Sequence, residues 1–490
     1  MHSQPTPWKA PAPSLRTRAK VAATHAIADP LLGLLARSSD ESLIRLVSLL
    51  ERYVARYDKH KAQLQRLREL FENGHPSLEL ARKMMTQLDP NCRRKLIANL
   101  GINATWLGQH IRNDFTRQFG IAPPYLMVIS PTMRCNLKCL GCYAGEYPRD
   151  VDPMSFETLD RVVTEAKQMG MFMFTITGGE PFVRPDLLDL YEKHNDCVFQ
   201  IYTNGTRISD ATIERLQELG NAAPAISIEG FKQDTDFRRG EGVFDKVMDT
   251  MDRLREAGVL FGFSGTVTRL NAEAYLRDEF FDMIIDKGCM FGWFFMFVPV
   301  GQDATVDLMP TAEQRDRMRA KILELRRTRP LFAADFWNDG CLTGGCMSAG
   351  TLYLHLNYRG DLEPCVFMHF AADNIHDMYA RGQHLWDVLK SPLFEAIREI
   401  NRRDPNPLRP CPVVDHNEWL EEALSKVDGV YFTHKGAEDI IGRLAQPVRE
   451  WAAKYASYAE RAWNSPDYEW ARTGSWLKPK HPRSTVETKH

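Results

Sequence analysis

Apolar residues recur every three or four positions, with charges between them, through "DESLIRLVSLLERYVARYDKHKAQLQRLRELFENG". That spacing predicts amphipathic helices. Ser39 or Asp40 would cap the start and Gly74 would end the run. "PSLELARKMMTQL" and "RRKLIANLGINATWLGQHIRNDFTRQFG" continue the helical pattern. From Tyr125 the pattern changes to short apolar runs: "YLMVIS", "MFMFTIT", "VFQIYTN", "PAISIEG", "LFGFSGTVT" and "MFGWFFMFVPV". They alternate with amphipathic helices, the last being "TAEQRDRMRAKILELRR". Six strand–helix units in series predict an α/β fold with a parallel sheet wrapped by helices. Right-handed crossovers would curl that sheet into a partial (β/α)6 barrel. In barrels of this kind the active site lies at the C-terminal ends of the strands.

The expected organisation follows these shifts in pattern. Residues 1–20 are Pro-rich and basic and are expected to be a disordered arm. Residues 21–120 form an all-helical accessory region, read either as a scaffold packed on the barrel or as a platform for substrate or partner. The core spans 121–335, a second cysteine-bearing segment 336–415, C-terminal helices 416–465, and a disordered tail 466–490. A chain of 490 residues accommodates two to four such units, and its 44% hydrophobic content supports sizeable cores. The net charge of -2 gives no basic field to draw nucleic acid or an anionic membrane. No apolar run reaches the roughly 18 residues of a membrane span, and the first residues lack the apolar stretch of a secretory signal. A reducing, cytoplasmic setting is expected.

Seven of the ten cysteines fall into two groups, while Cys92, Cys197 and Cys289 read as small core residues. The first group is Cys135, Cys139 and Cys142, spaced Cys-x3-Cys-x2-Cys directly after the first predicted strand. Three thiolates can hold three irons of a [4Fe–4S] cluster and leave the fourth iron open. A structural zinc site wants a fourth ligand, and none stands near in sequence. The second predicted strand ends in "TGGEP", in which Gly178 and Gly179 allow close backbone approach and Glu180 adds negative charge suited to an ammonium group. Alone, that motif is only a tight turn. With the cysteine triplet one strand earlier, the chain resembles the radical S-adenosylmethionine (SAM) superfamily over residues 121–330.

The resemblance implies that Gly178, Gly179, Glu180 and Pro181 bind the SAM amino group and that Tyr143 holds the family's aromatic position beside the adenine. It implies further SAM contacts at Asn204 in "YTNG", at Ser227 and Glu229 in "SIEG", and at Arg238 or Arg239 in "FRRGEG", with Arg239 taken as the partner of the SAM carboxylate. "FVPVG" would back the adenine. The implied chemistry is reductive cleavage of SAM to a 5′-deoxyadenosyl radical that attacks a C–H bond, with Cys135, Cys139 and Cys142 as the catalytic ligands. A flavodoxin or ferredoxin would supply the electrons.

The second group is Cys341, Cys346, Cys365 and, later, Cys411. "TLYLHLNY" before "RGD" reads as a β-hairpin. Spacing alone suits zinc or a closed [4Fe–4S] cluster equally. Cys346-x13-Gly360-x4-Cys365 resembles the opening of a SPASM domain, but the family's further cysteine run is absent. The resemblance therefore implies one auxiliary cluster in a shorter, twitch-like domain. Val366 follows Cys365 where sulfatase-maturating relatives carry Asp, which argues against that activity. His355 and His369 flank this segment as packing or substrate-facing groups. The expected function is a C–H-activating radical SAM enzyme acting on a peptide, small molecule or lipid. The alternative is a non-enzymatic Fe–S or zinc scaffold or electron carrier, which leaves the glycine turn and the ordered strand-end motifs unexplained.

Overall fold

The computed structural model describes residues 39–53 and 58–474. The arm expected at 1–20 and most of the expected tail lie outside the described residues. Seven short strands run parallel in one sheet: β1 Leu126–Ile129, β2 Met173–Ile176, β3 Val198–Thr203, β4 Ala222–Ser227, β5 Gly262–Val267, β6 Phe291–Met296 and β7 Phe332–Asp335. Each lies beside its neighbour in chain order, as right-handed strand–helix–strand units dictate. The strands are buried on both faces, so they read as near-continuous apolar runs. Six strand–helix units were expected. β7 is a seventh strand, built from "FAAD" and hydrogen-bonded along β6. Its brevity and closing Asp335 hide it from a periodicity reading.

On the other side of β1 the sheet continues through the second cysteine segment. β8 His355–Leu356 runs parallel to β1, β9 Asp361–Glu363 folds back on β8, and β11 Asp373–Asn374 pairs with β9. The β8–β9 turn closes at Gly360, whose φ of 90° suits glycine. The expected hairpin is thus shorter than "TLYLHLNY" and is an edge extension of the barrel sheet. β10 Phe370–Ala371 pairs with β12 Tyr431–Phe432, so a strand interrupts the region expected to be purely helical after 416.

The helices before β1 pack at the opposite end from the strand tips. Asn99 donates to Asn195 O at 3.0 Å and Cys197 O at 2.8 Å, and Asn103 donates to Asp196 O at 2.9 Å. Asn91 donates to Gln217 O and Glu218 O, and Asp89 N to Gly258 O. Arg112 donates to Gly170 O at 2.6 Å. All these acceptors lie at helix ends or in turns that lead into β2, β3, β4 and β5. The accessory helices therefore cap the N-terminal end of the barrel, the face where side chains serve stability. Of the two expected roles, this placement supports the scaffold.

The C-terminal helix Ala445–Trp463 packs on the barrel helix Ala312–Thr328. Buried Arg315 links them: it pairs with Asp415 at 2.6 Å and lies 3.8 Å from the centre of the Tyr455 ring. The expected tail begins inside this packing, since Tyr468 is buried and accepts from Arg319 at 3.4 Å. Among the described residues no helix is long and apolar enough to cross a membrane. Asn99→Ala would strip the buried Cys197 carbonyl of its side-chain donor, while Asn195 O keeps Lys95 Nζ at 3.0 Å. We expect a loss of about 1–3 kcal/mol of stability, read as a lower unfolding midpoint, with iron content unchanged.

Candidate active site

β1 and β2 keep pairing after both strands end. Thr177 N donates to Ile129 O at 2.9 Å, Gly179 N to Thr132 O at 2.9 Å, and Glu180 N to Arg134 O at 2.8 Å. This ladder lays the Gly-Gly turn along the segment leading into Cys135. A side chain on Gly178 would run into Thr132 O, and one on Gly179 into Arg134 O. The glycines are needed here for contact between two backbones, besides any contact with a ligand.

The cysteine loop is held from two further sides. Leu140 N donates to Arg238 O at 2.9 Å after β4, and Gln302 N donates to Cys142 O at 3.0 Å after β6. Tyr143 turns its hydroxyl to the glycine turn, accepting from Gly178 N at 3.1 Å and bonding Thr177 Oγ1 at 2.9 Å. Burial pushes its phenol up to about 12, so it stays neutral. Cys135, Cys139, Cys142, Tyr143, Gly178 and Gly179 line one cavity, with Asn204, Ser227 and Arg239 across from them. Phe297 and Val298 of the "FVPVG" segment also line it.

Three of the residues singled out from sequence stand off that wall: Glu180, Pro181 and Glu229. Glu180 is fully buried and accepts from Phe182 N at 3.0 Å, Thr203 Oγ1 at 2.8 Å and Asn204 N at 2.7 Å. Its carboxylate joins the ends of β2 and β3, and the expected free charge for an ammonium group is already engaged. Burial raises its carboxyl above the ordinary value despite these donors. Glu229 is likewise fully buried. One oxygen takes Arg238 at 2.6 Å and Arg239 at 2.5 and 2.8 Å. The other faces Thr266 N at 3.3 Å. Burial alone would raise this carboxyl, but the two guanidiniums outweigh it and hold it below the ordinary value. Glu229 thus holds both arginines beside the cysteine loop, and a direct role toward ribose does not follow from its position.

The thiols suit a metal–sulfur group by their chemistry. Burial pushes Cys135 up to about 11 and raises Cys142. Their protein contacts are few: Leu137 N donates to Cys135 Sγ at 3.4 Å, Asn204 Nδ2 stands 3.9 Å from Cys135 Sγ, and Arg239 Nη1 stands 3.9 Å from Cys139 Sγ. Half-buried thiols with few partners and a cation alongside are suited to give up their protons to a metal. Among the described residues no three His, Cys, Asp or Glu side chains stand close enough to share a single ion.

The second group gathers unevenly. Cys365 is buried and Cys346 and Cys411 are half-buried; burial raises all three thiols, Cys346 adds to the rise at Cys365 and Cys411, and all three act on Tyr353. Tyr353 donates to Cys365 Sγ at 2.8 Å. Burial pushes Cys341 up to about 12, and the charges nearest it are Asp339 and Arg326. Cys341 therefore shows less tie to the other three. Phe336, Phe367 and Tyr353 carry this segment to the cavity wall, where they meet Phe295 and Trp293 of β6. Sequence reading missed this aromatic wall because its members come from β6, β7 and the loop after β9. The two flanking histidines turn inward. His355 bonds Ser130 Oγ at 2.7 Å and Glu363 at 2.6 Å, and His369 bonds His434 at 2.6 Å. Cys92, Cys197 and Cys289 are buried away from both groups.

The radical SAM superfamily profile matches residues 129–272. A mycofactocin maturase of Mycobacterium ulcerans is 30% identical over 300 residues, covering 58% of this chain and 79% of the relative. An AdoMet-dependent heme synthase of Methanosarcina barkeri is 23% identical over 324 residues, covering 60% and 89% respectively. The structure of Streptococcus suis SuiB bound to the precursor peptide SuiA superposes with a TM-score of 0.52 at 19% identity, over 68% of this chain and 80% of that one. At that identity the likeness shows the fold.

Gly179→Ala should drive a methyl group into Arg134 O and displace the approach to Cys135. We expect lost iron at the first site with the fold retained. Gly101→Ala, where a side chain meets nothing, should be silent. Glu229→Ala leaves two buried guanidiniums without their carboxylate and should cost about 3–5 kcal/mol. Because this carboxyl is held low in the fold, its contribution is complete above the ordinary value of 4.5 and is lost as pH falls below it. The variant should accordingly show less acid destabilisation than the native chain in denaturant titrations over that range.

Proposed function

The chain belongs to the radical SAM superfamily, and from that footing we propose that it activates a C–H bond on an uncharged, apolar or aromatic group of a peptide substrate. It is an enzyme of that class, using a [4Fe–4S] cluster and SAM, with an auxiliary cluster of the SPASM type. When bound, these groups supply a 5′-deoxyadenosyl radical able to take hydrogen from an unactivated carbon. In this reading Cys135, Cys139 and Cys142 hold three irons and leave one open. The Gly178–Gly179 turn presents backbone toward SAM, Ser227 and Asn204 face it from β4 and β3, and Arg239 lies beside the thiols as the partner of a carboxylate. Tyr143 fixes the turn. Cys346, Cys365 and Cys411 are the better-supported ligands of the auxiliary group, with Cys341 the fourth. Electrons come from a flavodoxin- or ferredoxin-type donor in the cytoplasm.

One observation carries the substrate class. Besides the thiols, the glycines, Arg238, Arg239 and the hydroxyls and amides at the strand tips, the cavity has an apolar side of Trp293, Phe295, Phe336, Met347, Leu352 and Phe367, and no Asp, Glu, His or Lys lines it. Such a wall excludes water from a radical and favours apolar groups. The maturase relative and the peptide-bound structure support a peptide as the carrier of that group. A porphyrin, suggested by the heme-synthase relative, would need cations for its carboxylates. The two on this wall, Arg238 and Arg239, both stand on Glu229 at the cysteine loop, where the SAM carboxylate would claim Arg239.

The test begins without oxygen: dithionite and SAM are added and 5′-deoxyadenosine is measured. Product from the native chain, and none when Cys135, Cys139 and Cys142 are all changed to Ala, is expected. If a loaded, reduced cluster forms but SAM neither binds nor breaks, the reading fails. Changing Cys346, Cys365 and Cys411 to Ala should remove about half of the iron and leave SAM binding at the first site intact.

A further inference from the structure

Two polar side chains inside the barrel have nothing to bond. Thr175 on β2 and Gln200 on β3 are register partners on neighbouring strands, so they stand side by side on the inner face of the sheet. Gln200 is 5% exposed and Thr175 is 6% exposed, and both line the central cavity. Among the described residues, neither the Gln200 amide nor the Thr175 hydroxyl has a hydrogen-bond partner. Other hydroxyls on the same wall are paired, Ser227 with Ser264 at 3.2 Å and Thr177 with Tyr143 at 2.9 Å. A buried polar group without a partner costs stability, and native folds keep few of them. The pair also lies deep. Thr175 stands three residues before Gly178 and Gln200 four before Asn204. At the rise of a strand that is roughly 10 Å below the turn that faces SAM. Leu126, Val128 and Trp293 line the cavity beside them, while Arg238 and Arg239 stand at the cysteine loop.

We infer that Thr175 and Gln200 form a substrate subsite that takes a carboxamide of the peptide, an inference that rests on the reading above for calling that ligand the substrate. The Gln200 amide offers an acceptor oxygen and two donor N–H groups in one plane, and the Thr175 hydroxyl can do either. A second carboxamide is the neutral group that meets such a plane with a donor and an acceptor together. A carboxylate at this depth would be buried without a cation, and an ammonium without an anion. A purely apolar group would leave both side chains unsatisfied. Peptides carry carboxamides in the backbone and in Asn and Gln side chains, and the chemistry of the two is shared. The aromatic side of the cavity holds the apolar part of the substrate, while this pair fixes how far and which way round it enters. Thr175 and Gln200 are thus specificity residues that choose the carbon presented to the radical.

The experiment uses full-length, iron-loaded protein without oxygen, as the native chain, Gln200→Met and Thr175→Val. Both substitutions keep the shape of the side chain and remove its hydrogen bonds. The probes are acetamide for a side-chain amide, N-methylacetamide for a backbone amide and acetate for the charged counterpart. The unfolding midpoint is read with and without each probe, since a ligand of the folded state raises it, and SAM affinity is read alongside. At least one amide should raise the native midpoint and bind Gln200→Met about tenfold more weakly, while acetate should raise neither. The amide with the larger effect identifies the source, side chain or backbone. Without any probe, Gln200→Met should unfold no earlier than the native chain, because the amide it loses has no partner. Native protein that neither amide stabilises would overturn the proposal, as would amides that stabilise native and variant proteins alike, or acetate that matches them. So would a Gln200→Met protein that unfolds earlier without a probe, since the amide would then bond within the fold, or one with weakened SAM affinity, since the amide would then serve SAM. Selective amide binding in a native chain that does not cleave SAM would support the subsite and sink instead the reading that makes its ligand a substrate.

Discussion

The backbone ladder between residues 129–134 and 177–180 is the constraint on which the site depends. Parallel strands alone end at Ile129 and Ile176. Three further N–H to carbonyl bonds carry the pairing past them, so that the cysteine loop leaves the sheet on a fixed course. The two glycines permit this because no side chain separates the two backbones. A thiol triplet must present three sulfurs to one metal group, and small displacements of its first residue would spoil that geometry. The turn that faces SAM in this family thus also sets where Cys135 begins. One motif does two jobs, and the steric one is the stricter.

Three buried carboxylates extend the same logic around the strand tips. Glu180 ties the end of β2 to the end of β3, and Glu229 ties the end of β4 to Arg238 and Arg239. Glu363 on β9 takes His355 at 2.6 Å and Thr433 at 2.7 Å, and His355 reaches Ser130 at the end of β1. Burying a carboxylate costs several kcal/mol unless its lone pairs are met. Here each is met by donors from a different loop, so the cost is offset only when all the loops are in place. Removing one partner leaves a buried group unsatisfied, which is far more damaging than losing a surface pair. The carboxylates hold the rim together, and the cavity wall is left to thiols, glycines, hydroxyls, arginines and aromatic rings.

This division explains what could be read from the chain alone. Cys135, Cys139, Cys142, Gly178 and Gly179 announce themselves by spacing and by their order relative to apolar runs, and the strand–helix alternation is visible because fully buried parallel strands are continuously apolar. The roles of Glu180 and Glu229 were not legible. A motif says that a carboxylate stands near a ligand pocket, but only the fold says whether its oxygens are already taken. The aromatic wall was hidden for a different reason: Phe295, Phe336 and Phe367 belong to three segments, and each alone looks like core. β7 and the β8–β9 hairpin were misjudged in extent because two- to four-residue strands carry too few positions for a period to show.

The placement of the accessory helices bears on how substrate arrives. Their asparagines spend their side-chain amides on carbonyls at the N-terminal end of the barrel, and Leu80 and Leu88 pack there with Met290. A platform for substrate would have to reach the strand tips at the other end, where the radical forms. That end is covered by the second cysteine segment, whose hairpin continues the sheet past β1 and whose Phe367 lies 5.5 Å from the Tyr143 ring, centre to centre. The segment that supplies the auxiliary thiols is therefore also the segment that shapes the space above the first group. Any change in its hairpin pairing moves Phe367 and Tyr353 against the cavity, so substrate fit and auxiliary-group integrity are mechanically one property of this fold.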